Sequence, residues 1–67
     1  MEITLNQINY FVADNCSLQE LFSLVMQQPS KGIAIAVNET IIPKGSWETY
    51  MLNAGDHIIF IKATQGG

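Results

Sequence analysis

Only one stretch of this chain repeats at a helical period, and the segments around it alternate as strands do. Leu18, Leu21, Phe22, Val25 and Met26 fall at i, i+3, i+4, i+7 and i+8 and line a single face. Ser17 and Glu20 have the Ser-x-x-Glu spacing of a capping box, and Cys16 and Leu21 stand where a hydrophobic staple joins N′ to N4. The spacing predicts a helix over 17 to about 28, ended by Pro29, Ser30 and Gly32. A lone amphipathic helix must bury its stripe against something, and a sheet is the economical partner.

The flanking segments supply that sheet. Ile3 and Leu5 alternate with Glu2 and Thr4. After a turn at Asn6-Gln7, Ile8, Tyr10 and Val12 alternate with Asn9 and Phe11. The parity assigns Ile3, Leu5, Ile8, Tyr10 and Val12 to the core and Phe11 to the opposite face. Residues 33–37 are apolar throughout and read as a strand with little space around it. Asn38-Glu39 is a turn, and 40–42 returns as a short strand that Pro43 confines to an edge. Residues 44–52 are irregular, with Trp47 as their anchor. Asn53-Ala54-Gly55-Asp56 is a turn, and 57–62 is the last strand. Residues 63–67 show neither pattern and read as a flexible tail ending Gly66-Gly67. The order is ββαββ, an irregular segment, then β. A long connection allows the last strand to run parallel to the first. The expectation is one α+β domain over 1–62, a mixed sheet of about five strands with one main helix: the β-grasp, or ubiquitin-like, fold.

Size and charge narrow the function classes. A 67-residue chain buries only about 60% of the surface its unfolded form exposes, which leaves little room for a deep catalytic cleft. Acidic residues outnumber basic ones six to three, and no arginine is present, so phosphate-directed binding to nucleic acid is not expected. The acidic balance suits a protein partner with a basic docking site. Cys16 is the only cysteine, which excludes an internal disulfide and a cysteine-rich zinc site. Met1 leads straight into a strand pattern, and no apolar run approaches a membrane span, so a cytoplasmic protein without signal peptide is expected.

Three segments carry a family resemblance that extends over the whole chain. Ile35-Ala-Val-Asn38-Glu-Thr-Ile-Ile42-Pro43, followed by Trp47, resembles the "a-VN-x-x-x-VP…W" stretch of the ThiS family, the sulfur carriers of thiamine thiazole synthesis. Leu52-Asn-Ala-Gly55-Asp56 resembles its "L-x-x-GD" turn, and Ile58 to Ala63 with Gly66-Gly67 resembles its last strand and tail. Molybdopterin sulfur carriers share the turn and the Gly-Gly end; the Val-Asn…Pro…Trp segment and the length favour ThiS. Glu39 departs from the glycine usual after that asparagine. The resemblance implies a protein that is not an enzyme and holds no cofactor or metal. A ThiF-like adenylyltransferase adenylates the terminal glycine, and sulfur from a donor such as a cysteine desulfurase replaces AMP. A ThiG-like thiazole synthase then takes the sulfur from the resulting thiocarboxylate.

Gly67 is therefore the residue expected to be modified, with Gly66 and Gln65 threading the partner's active site. Neither glycine has a side chain to obstruct the carbonyl. Five residues after Lys62 reach roughly 17 Å when extended, enough to enter a buried site while the body docks outside. Two terminal glycines arise by chance in roughly one chain in 200, so the tail alone says little without the pattern upstream of it. Strand parity also places Phe11, Thr4, Ile59 and Ile61 on a face that no second helix covers, a candidate docking patch. Cys16 reads as a packing residue, and His57 has no carboxylate or cysteine cluster beside it in sequence. Two rivals remain: a carrier for molybdopterin or another thiolated product, and a β-grasp binding or modifier module that is never thiolated.

Overall fold

The computed structural model describes residues 1–26 and 31–62. The elements are β1 (Glu2–Leu5), β2 (Ile8–Phe11), α1 (Leu18–Val25), β3 (Ile33–Val37), β4 (Thr40–Ile42), a 3-10 turn at Lys44–Ser46, and β5 (His57–Lys62). The strands form one mixed sheet in the order β2-β1-β5-β3-β4. Two antiparallel hairpins flank β5, which runs parallel to β1 and antiparallel to β3. This is the expected α+β arrangement, with the last strand beside the first and β4 at an edge. The expected end of the helix near residue 28 and the tail 63–67, with Gln65, Gly66 and Gly67, lie outside the described residues.

Both hairpins turn on two residues in the left-handed region, Asn6 and Gln7 at φ 50° and 70°, and Asn38 and Glu39 at 50° and 71°. Two successive positive φ values make type I′ turns, whose twist matches that of the strands they join. Asparagine tolerates this conformation; glutamine and glutamate adopt it at a cost.

The helix stands on the capping box that the sequence predicts. Ser17 Oγ accepts from the Glu20 amide at 3.1 Å, and Glu20 Oε1 accepts from the Ser17 amide at 3.0 Å. Two further free amides of the first turn are met from far along the chain. Leu18 N–H donates to the Tyr50 carbonyl at 2.8 Å and Gln19 N–H to the Trp47 carbonyl at 3.0 Å. Residues 44–52 are thus more than an irregular connection: they complete the N-terminus of α1, whose first amides lack partners within the helix. Trp47 is 1% exposed, donates through Nε1 to the Ile42 carbonyl at 2.9 Å, and packs its ring 5.4 Å from that of Phe22. The core beneath the helix holds Ile3, Leu5, Leu21, Ile35, Val37 and Ile58, with Cys16 and Leu52 beside them.

Two of the expected core residues are not there. Ile8 is 61% and Tyr10 38% exposed. Their parity is as read, since they stand opposite Leu5 and Ile3 on the helix side of the sheet. β2 is an edge strand, however, and one eight-residue helix does not extend over it. Only Val12, past the end of β2, packs partly against the core.

Candidate docking face and the end of the last strand

The face of the sheet away from α1 carries the residues that strand parity singles out, and the register sets their spacing. Thr4 pairs with Asn9 on one side and His57 on the other. Phe11 pairs with Glu2, so it sits two residues toward one end of that row, and Ile59 sits two residues toward the other. Four residues along a strand amount to about 13 Å, with two strand spacings across as well. Phe11, 80% exposed, therefore shares the face with Ile59 and Ile61 but not their neighbourhood; Thr4, Asn9 and His57 form a polar row between them.

The partners of Ile59 and Ile61 lie on the other side of β5. Ile59 pairs with Ala36, which pairs in turn with Ile41 on β4, and Ile61 pairs with Ala34. Ile41, Ile59 and Ile61 are each about half exposed. The two small alanines between them leave the isoleucines standing proud, and the five side chains make one apolar area on β5, β3 and β4. Ile41 escaped the sequence reading, although its signal was present: it alternates with Ile42, and Ile42 is buried. Beside this area lies a shallow concavity of about 390 Å³ lined by Thr4, Gln7, Glu39, His57, Ile58 and Ile59. Thr4 Oγ1 and His57 Nδ1 are hydrogen-bonded across its floor at 2.8 Å. The Glu39 carboxylate at its margin favours a basic neighbour.

The last turn of β1 fixes where β5 runs. Asn6 N–H donates to the Ile58 carbonyl at 2.9 Å, and Asn6 Oδ1 accepts from Phe60 N–H at 3.0 Å. The asparagine side chain thus stands in for β1 backbone after β1 has ended, and β5 continues to Lys62, opposite Ile33. At the other end of β5, Asp56 is buried and accepts from the Asn53 amide at 2.8 Å and from Asn38 Nδ2 at 3.0 Å. Gly55 supplies the turn's left-handed residue at φ 85°. The Val-Asn and Gly-Asp segments, 18 residues apart in sequence, are one hydrogen-bonded unit.

Cys16 is 4% exposed, and its thiol donates to the Ser17 carbonyl at 3.4 Å. Burial pushes the thiol pKa up, and the Glu20 carboxylate pushes it the same way. Such a thiol is a packing group, since a nucleophile needs the thiolate. Among the described residues no three His, Cys, Asp or Glu side chains gather as metal ligands. None of their helices is long and apolar enough to cross a membrane.

The described residues form a five-stranded mixed sheet with its last strand in the middle and one helix across one face, which defines a ubiquitin-like β-grasp protein. The chain belongs to the ThiS family, whose model matches residues 3–67. It is similar to the sulfur carrier protein ThiS of Escherichia coli, at 28% identity over 67 residues and the full length of both chains; that name describes a carrier, not a catalyst. The fold matches the crystal structure of a thiamine biosynthesis protein (ThiS) from Geobacter metallireducens with TM-score 0.86, 20% identity and complete coverage of both chains. The solution NMR structure of a thiamine biosynthesis protein from the same organism matches with TM-score 0.79 at 20% identity, over all of this chain and 88% of the other.

Proposed function

We propose that this protein carries sulfur on the C-terminal carboxylate of Gly67 for the thiazole ring of thiamine. The observation that carries the reading is the family match, which runs through residue 67 and so takes in Gly66-Gly67. The similarity to a sulfur carrier along its entire length supports it. A carboxylate is a poor acyl donor because its leaving group is oxide. Attack of the Gly67 carboxylate on the α-phosphorus of ATP, in a ThiF-like adenylyltransferase, releases pyrophosphate and leaves an acyl adenylate. The terminal sulfur of a persulfide on a donor such as a cysteine desulfurase then forms a C–S bond as the C–O bond to AMP breaks. A thiol cleaves the S–S bond of the resulting acyl disulfide, releasing the thiocarboxylate and leaving a disulfide between the donor and that thiol. The product thiocarboxylate is the nucleophile that a ThiG-like thiazole synthase consumes. Gln65 and Gly66 thread the partner's active site ahead of it. The carrier works in the cytoplasm, where ATP and those partners are at hand.

The body docks through the sheet face around Ile59, Ile61 and Ile41, with Thr4 at its border and Phe11 as an outlying contact. That area adjoins the end of β5, and an exposed apolar area of this kind suits a protein partner.

The test is mass spectrometry after incubation with a cognate adenylyltransferase, ATP and a sulfur source. The mass should rise by one oxygen-to-sulfur exchange that maps to Gly67. Deleting Gly67, or adding one residue after it, should abolish the exchange. Equal thiolation of the extended chain would refute the assignment.

A further inference from the structure

The β2 edge is open among the described residues, and although it is only four residues long it lacks the charge, proline and bulge that usually stop other strands from adding. Its residues Ile8-Asn9-Tyr10-Phe11 carry no charge and no proline, pair with β1 without a bulge, and are all exposed. Natural edges are blunted by lysine, proline, a bulge or shortness. The opposite edge has two of these, since β4 is three residues long and is followed at once by Pro43.

The ladder shows which groups face outward. Val12 N–H donates to the Met1 carbonyl, so Val12, Tyr10 and Ile8 turn their backbone groups toward β1. Asn9 and Phe11 turn theirs away. We propose that β2 pairs with β2 of a second copy of this chain, antiparallel about a two-fold axis through Tyr10, so that two five-stranded sheets become one of ten.

This register is self-complementary. Asn9 and the second copy's Phe11 exchange both N–H···O=C bonds, and the symmetry repeats the exchange, so four outward groups on each strand are satisfied. Tyr10 meets its own counterpart at the non-hydrogen-bonded position, where side chains approach most closely. On the helix side, Ile8 falls opposite the second copy's Val12. The exposed Ile8 and Tyr10 side chains that α1 does not reach are thereby covered. Net charge favours this seam as well: each chain carries −3, and an uncharged strand is where two such chains meet with least repulsion. The apolar area around Ile59 and the far end of β5 lie away from the seam. One short edge falls well below the ~800 Å² per partner of a stable complex, so the dimer is weak and forms at high concentration.

Heteronuclear NMR of the full chain between about 20 µM and about 1 mM tests this, alongside sedimentation. The Asn9 and Phe11 amides should shift and exchange more slowly as concentration rises, and the mean mass should climb toward twofold and stop. Asn9→Pro removes an outward donor while costing no bond to β1, and Tyr10→Lys sets two ammonium groups face to face; each should abolish the change with the melting temperature nearly unaltered. Asn9 and Phe11 amides that stay fixed up to the highest concentration overturn the proposal. So do association that survives both substitutions, shifts centred on Ile59 and Ile61, or growth beyond a dimer.

Discussion

Asn38 donates through Nδ2 to the buried carboxylate of Asp56 at 3.0 Å, and its Oδ1 accepts from the His57 amide, also at 3.0 Å. One side chain therefore ties the β3–β4 hairpin to the turn that starts β5. Asn38→Ala and Asp56→Ala should each cost about 2 kcal/mol, the first because it strands the buried Asp56 carboxylate and the second because it removes the hydrogen bonds that this charged group accepts, and each should lower the melting temperature by roughly 10 °C. The double variant should lose clearly less than the sum of the two, as contacting residues do. Strict additivity in thermal melts would show that the contact does not couple the turns.

Glu39 sits at φ 71°, in a conformation that costs a non-glycine residue about 1–2 kcal/mol. Glu39→Gly removes that strain and gives back part of it as chain entropy in the unfolded state. The net expectation is stabilisation by about 0.5–1 kcal/mol, read as a higher urea midpoint with an unchanged slope.

Docking should divide the far face of the sheet unevenly. Ile61→Lys places a charge in the middle of the apolar area and should weaken binding to the adenylyltransferase at least tenfold, about 1.4 kcal/mol. Phe11→Lys, far along the strand axis, should weaken it less. Both proteins should melt near the parent temperature, since both side chains are exposed. A titration in which Phe11→Lys is the more damaging would move the docking centre to β2.

Cys16 should be inert under native conditions and should matter only in alkali. Its folded pKa stands above its unfolded one, so its contribution to stability is whole below the unfolded value. The contribution is lost as pH rises through the folded value, because the unfolded thiol gives up its proton first. The parent melting temperature should therefore fall more steeply above about pH 8 than that of Cys16→Ala. Cys16→Ser should still be thiolated on Gly67. Fast alkylation of the folded protein, or loss of thiolation in Cys16→Ser, would give the thiol a chemical role.

Much of this arrangement is legible in the residues, for stated reasons. The capping box of Ser17 and Glu20 is local chemistry, and the parity of Ile3, Leu5, Ile58 and Ile59 follows from the pleat. What the sequence does not carry is extent across the sheet. Alternation says which way Ile8 and Tyr10 point but not that the helix stops short of them. Parity puts Phe11 and Ile61 on one face but not at its two ends, because strand offset is set by pairing and not by period. The bonds from Leu18 and Gln19 to Tyr50 and Trp47 were out of reach for the same reason: a carbonyl leaves no mark on residue type.

β5 comes last among the described elements in sequence and stands in the middle in space. The hairpin of β1 and β2 and the hairpin of β3 and β4 share no ladder with each other; within the sheet each is joined only to β5. No half-sheet can persist as a stable remnant, since removing β5 leaves two separate ribbons and a short helix. Folding should therefore be all or nothing. A molecule cut before residue 57 loses in one event both its architecture and the segment that leads to Gly67, so damaged carriers cannot linger as folded decoys occupying a partner's surface.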